Sequence, residues 1–121
     1  MRELTIFGLP GCDTCRKARK WLADNGHEHR FHDLREDGLD MQMLQRWSDR
    51  LDWQPLLNTR SLTWRKIPPN DRAGMAGDRA LACMLQHPTL IKRPLLEYGD
   101  LVTVGYSAAS YEQIFESISG D

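Results

Sequence analysis

The chain has 121 residues, 40% hydrophobic and 27% charged, which fits one globular domain over residues 1–121 and excludes a disordered chain. Its net charge of -1 gives no general drive toward nucleic acid or an anionic membrane, so neither is expected as a direct partner. The opening Met1-Arg2-Glu3-Leu4-Thr5-Ile6-Phe7-Gly8 is too short and too weakly basic for a secretory signal or a membrane span, and the expected compartment is the cytoplasm.

Leu4 to Phe7 reads as a short strand closed by Gly8-Leu9-Pro10-Gly11. A helix should begin at Cys12 or Asp13 and run to about Asn25, with Ala18, Trp21 and Leu22 at helical spacing and Gly26 in the C′ position. His27 to Leu34 is a second strand candidate, so the opening forms a βαβ unit with a parallel pair. Asp40 can cap a further helix whose apolar stripe is Met43, Leu44, Trp47 and Leu51. Leu56-Leu57-Asn58-Thr59-Arg60 breaks that period, Pro68-Pro69-Asn70-Asp71 marks a boundary, and residues 77–86 read as helix. Beyond His87-Pro88, the runs Leu95–Tyr98 and Leu101–Val104 flank Gly99-Asp100, which suits an antiparallel hairpin with a type II′ turn. Ser107 can cap a last helix with Tyr111, Ile114, Phe115 and Ile118 on one stripe. The order is βαβ, a helical middle at about 38–90, then ββα.

Three cysteines cannot form a disulfide framework or an all-cysteine zinc site, although a mixed cysteine and histidine site stays arithmetically open. His27, His29 and His32 are the local histidines; on a regular strand the first two share a face and the third points away. Cys83, inside Ala80-Leu81-Ala82-Cys83-Met84-Leu85, reads as a buried structural cysteine. Cys12-Asp13-Thr14-Cys15 is different, because it follows a strand and a glycine/proline turn and opens a helix. Free N–H groups and the helix dipole there favour a thiolate at Cys12, with Arg16 and Lys17 adding positive charge, while Cys15 sits one turn inward. Cys12 is therefore expected to be the attacking thiol. Cys15 could resolve a mixed disulfide on it.

Gly11-Cys12-Asp13-Thr14-Cys15, Leu57-Asn58-Thr59-Arg60 and Ile91-Lys92-Arg93-Pro94-Leu95 together resemble the family of glutathione- and glutaredoxin-linked arsenate reductases and Spx regulators. Trp64-Arg65-Lys66, Lys92-Arg93-Pro94-Leu95-Leu96 and the chain length fit a small, uncharacterised bacterial branch of it. The resemblance implies a thioredoxin-like α/β fold with a four-stranded mixed sheet and the helical segment as an insertion. It also implies a cis peptide bond before Pro94, with that loop beside the cysteines. It makes Cys12 the nucleophile and matches Arg60 and Arg93 to arginines that surround a bound oxyanion. The sequence departs from the reductases at three places. Gly8 stands where they have a histidine four residues before the nucleophile, Gly105 aligns with a third arginine, and Cys15 has no counterpart in them.

The expected activity is a glutathione-dependent thiol–disulfide reductase. Glutathione or a glutaredoxin-type protein would be the donor, and an anionic small-molecule or protein thiol the substrate. Arg60, Arg93 and the backbone beside Pro94 would hold that substrate; no bound cofactor is expected because no nucleotide or flavin motif occurs, and no metal because the histidines read as ordinary strand residues. The alternatives implied by the resemblance are an Spx-like redox sensor that binds the RNA polymerase α subunit, and an arsenate reductase.

Overall fold

A computed structural model describes residues 3–119. Strand β1, Leu4–Gly8, is buried along its whole length. On one side it pairs in parallel with β2 (Arg30–Asp33), and on the other it pairs antiparallel with β3 (Leu95–Tyr98). β3 in turn pairs antiparallel with β4 (Leu101–Val104), giving a four-stranded mixed sheet of order β2-β1-β3-β4. This is the thioredoxin-like arrangement, with its βαβ and ββα halves separated by helices.

Helix α1, Asp13–Asp24, links the parallel strands. It ends as a Schellman motif: Gly26 has φ +75°, its N–H reaches the Ala23 carbonyl, and the His27 N–H reaches the Leu22 carbonyl at 2.8 Å. That closure shortens the second strand, expected from His27, to four residues beginning at Arg30. His27 instead stacks on Phe115 at 4.1 Å and on Trp21 at 5.8 Å. Helix α7, Ala108–Ser119, starts as expected behind Ser107. The Ser107 Oγ accepts from the Ser110 amide while the Ser110 Oγ accepts from the Ser107 amide, a reciprocal cap.

The segment between the halves carries α2 (Met41–Leu51), three short helices α3 (Trp53–Leu56), α4 (Leu62–Lys66) and α5 (Pro69–Ala73), then α6 (Gly77–Gln86) and a single 3-10 turn at Pro88–Leu90. Asp40 caps α2 by accepting from the Met43 amide at 2.9 Å. Side-chain alternation along the strands sorts the interior into two cores. Leu4, Ile6 and Leu96 pack with Ala18, Leu22, Tyr111 and Phe115 beneath α1 and α7. Phe7 and Leu95 meet Leu44, Trp47, Leu81 and Met84 from the helical segment on the other face. Among the described residues no helix is long and apolar enough to cross a membrane.

One polar tie fixes the helical segment to the sheet. Glu97 on β3 accepts from Arg46 Nε at 2.8 Å, Arg46 Nη2 at 3.1 Å and Trp47 Nε1 at 3.2 Å. The Arg46 side chain is half exposed, whereas that of Glu97 is only 19% exposed and Trp47 is fully buried. Glu97→Ala should therefore lower stability by about 1–3 kcal/mol, because it strands a buried indole N–H. Arg46→Ala should cost less, since its pair is partly screened by water. Urea unfolding of the two variants reads the difference.

Candidate functional site

β1 ends at Gly8, and Leu9-Pro10-Gly11 turns the chain, with the Cys12 N–H donating to the Leu9 carbonyl at 3.1 Å. Cys12 occupies the N-cap of α1 with extended backbone, φ -85° and ψ 118°. Cys15 lies one turn inward and is only 1% exposed, and both are free thiols. The order of exposure is the one expected from the sequence.

Their acidities diverge. Partial burial pushes the Cys12 thiol up, but the Cys15 amide, the Cys15 thiol and the Arg93 guanidinium together favour its thiolate, and the net shift is downward. Burial pushes Cys15 up to about 11, and its neighbour Cys12 adds to the rise. The cation that favours the Cys12 thiolate is Arg93, not the basic residues of its own helix to which the sequence pointed. Arg16 turns to Asp13, where the ion pair and Lys17 hold the exposed Asp13 carboxyl below the usual carboxylate range.

Arg93 comes from the loop before β3, where the Arg93–Pro94 bond is cis, as the resemblance implies. Its Nη1 donates to the carbonyls of Ile91 at 2.9 Å and Pro88 at 3.3 Å, which anchors the fork. Its buried Nε has no acceptor among the described residues. Arg93 and Cys12 line one cavity of about 450 Å³. Arg60 does not line it. Its segment is nevertheless stitched to the Arg93 loop by the Leu57–Ile91 bridge and by Asn58 N–H to the Leu90 carbonyl at 2.7 Å. Arg60 itself is exposed, and its N–H donates to Asn58 Oδ1. Gly105 donates its N–H to the Pro94 carbonyl at 2.8 Å and has φ +82°, a conformation that arginine adopts only under strain.

Asp33, Arg35, Glu36 and Thr89 also line the cavity, and sequence reasoning missed them. A usable signal existed, since ligands gather at the carboxyl ends of parallel strands and Asp33 pairs with Gly8 at that end. Asp33 Oδ1 accepts from the Arg35 and Glu36 amides, which fixes the acidic wall. Among the described residues no three His, Cys, Asp or Glu gather as metal ligands. His32 Nε2 instead lies 2.7 Å from the Gly38 carbonyl, and the His32 ring packs on Phe7. Cys83 is half-buried, not buried as expected, because it borders a separate cavity with Met75, Arg79 and His87.

Residues 7–114 match the model of the ArsC family. An uncharacterized protein of Haemophilus influenzae is 38% identical over 112 residues, covering 93% of this chain and 98% of its own. The solved structure of the YFFB protein superposes with a TM-score of 0.85 at 35% identity, covering 91% of this chain and 96% of that one. The global transcriptional regulator Spx of Listeria monocytogenes is 25% identical over 108 residues, 86% of this chain and 80% of its own.

Alkylation at graded pH, read by peptide mass, should find Cys12 reacting with a midpoint below the ordinary thiol value of about 8.5. Cys15 should stay protected until about pH 11. Arg93→Ala should move the Cys12 midpoint up, and Arg16→Ala should leave it in place. The linkage to folding has a definite sign: the folded chain keeps the Cys15 proton that the unfolded chain loses, so stability falls as pH rises from the ordinary thiol value toward 11. Reduced wild type should therefore lose stability relative to Cys15→Ala across that interval in denaturation series.

Proposed function

The chain belongs to the ArsC family, and from that membership we propose that it is a glutathione-dependent thiol–disulfide reductase, with Cys12 as nucleophile and Cys15 as resolving thiol. The observation that carries this reading is the shared cavity, where a thiol favoured as thiolate meets the Arg93 fork and the acidic wall of Asp33 and Glu36. A peptide thiol that bears both carboxylate and ammonium groups suits walls of both signs. A doubly charged oxyanion would face two carboxylates there beside Arg35 and Arg93, with a glycine at position 105.

In the proposed cycle the Cys12 thiolate attacks a disulfide sulfur, the substrate S–S bond breaks, and the departing thiolate takes a proton from water. Arg93 holds a substrate carboxylate, Arg60, outside the cavity, meets the part of a longer substrate that extends beyond it, and the backbone at Pro94 offers pairing groups to an extended peptide. The mixed disulfide on Cys12 is then opened by Cys15 or by glutathione. Two glutathione molecules are oxidised to one glutathione disulfide per turnover, so no bound redox cofactor enters the cycle, and the cytoplasm is a compartment that supplies this thiol. A second reading, an oxidation sensor acting on the RNA polymerase α subunit, is favoured by one observation, the close thiol pair in a chain similar to Spx.

The test is turnover with glutathione, glutathione reductase and NADPH, using a glutathionylated disulfide substrate and arsenate in parallel. The disulfide should turn over, and Cys12→Ser should abolish it. Arg93→Ala should lower kcat/KM for the disulfide about tenfold to a hundredfold, the usual worth of a charged contact. Arg93→Lys should recover little, because a point charge does not reproduce the fork. Robust arsenate turnover that collapses in the arginine variants would overturn the proposal. Binding to the α subunit without thiol turnover would establish the sensor instead.

A further inference from the structure

Gly8 is the last residue of β1, and the side-chain direction at its α-carbon points at Cys15 in the first turn of α1. A Cβ placed there would lie 2.4 Å from the Cys15 Sγ and 3.4 Å from the Cys15 Cβ, with Phe31 Cε1 at 3.7 Å. The first distance is far inside van der Waals contact. Gly8 is not among the glycines with positive φ, so its backbone does not itself call for glycine. The one strong objection to a side chain at position 8 is the sulfur of Cys15.

We propose that Gly8 is the positioning residue for a two-thiol reaction: its empty side-chain space seats the Cys15 sulfur against Cys12, and filling that space would leave a one-thiol site. The proposal rests on Cys15 being the resolving thiol. In a helix a cysteine has two favoured side-chain wells, and a step between them moves the sulfur by about 3 Å. A methyl at position 8 would drive Cys15 into the other well. Attack on a sulfur needs the two atoms close and in line, so that displacement removes the reaction geometry. The two cysteines already influence each other's acidity in the present arrangement, as neighbouring sulfurs should.

The step is balanced as follows. Cys15 gives its proton to water and attacks the Cys12 sulfur of a Cys12–glutathione mixed disulfide. The Cys12–Cys15 bond forms, the bond to glutathione breaks, and the released glutathione thiolate is protonated. Two further equivalents of a small thiol reduce the internal disulfide and leave as one small-molecule disulfide.

The experiment compares wild type, Gly8→Ala, Cys15→Ala and the double variant. Each is first glutathionylated at Cys12 by oxidised glutathione, and release of glutathione is followed by acid quench and intact mass. Wild type should close the Cys12–Cys15 bond. Gly8→Ala should do so at least tenfold more slowly and accumulate the adduct, as Cys15→Ala does. Thermal unfolding supplies an independent reading: Gly8→Ala should lower Tm in the wild-type background but not in Cys15→Ala, where the colliding sulfur is gone. Wild-type release rates in folded Gly8→Ala, or equal Tm losses in both backgrounds, would overturn the proposal. The measurement needs no substrate turnover, so the two ideas fail separately. A wild type that reduces disulfides yet never closes the internal bond defeats this proposal and keeps the reductase. A wild type that closes the bond but reduces no substrate defeats the reductase and keeps the role of Gly8.

Discussion

Five consecutive buried residues, Leu4–Gly8, need partners for every backbone group and cover for both faces, and that demand organises the molecule. β2 and β3 satisfy the backbone on either side. The alternating side chains then require two different covers. α1 and α7 close one face over Leu4 and Ile6, and the helical segment closes the other over Phe7. The candidate site lies where this cover runs out, at the carboxyl end of the strand, since the chain must leave the sheet there and start α1 almost at once. A thiol at the N-cap of that helix stays reachable, and one a turn further on is enclosed.

The electrostatics follow from the same geometry. A cation on the first turn of α1 is a poor partner for Cys12, because a carboxylate on that turn competes for it and wins, as Asp13 does with Arg16. Arg93 reaches the sulfur from a separate loop, where two carbonyls brace its half-buried guanidinium. A charge held in place keeps its effect in salt better than a charge on a free side chain does. The distinction is one of tertiary position, invisible to any count of nearby basic residues.

What the sequence conveyed depended on whether the signal was local. α6 matches residues 77–86, and α7 begins behind Ser107, because a stripe and a cap are both properties of adjacent residues. The hairpin was legible for the same reason, with Tyr98 facing Leu101 across Gly99-Asp100. α3, α4 and α5 were not, since helices of four or five residues hold barely more than one turn and show no period. The early start assigned to β2 failed because the closing bond of α1 claims His27. At the site, both cysteines were legible from the strand–turn–helix pattern, and Arg93 and Pro94 from the resemblance. Asp33 and Glu36 were not, as only the parallel pairing brings them beside Cys12. Gly8 looked like the loss of a histidine; in three dimensions it is room for a sulfur seven residues away.

Gly105 has a bearing on what this scaffold could become. Glycine and arginine codons are neighbours, so the genetic code places little distance between this chain and one with a third arginine there. The backbone is the obstacle. At φ +82°, with its N–H already given to Pro94, the position would charge any larger residue about 1–2 kcal/mol before a ligand arrived. An arginine at this position would carry that strain until a change in the loop relieved it.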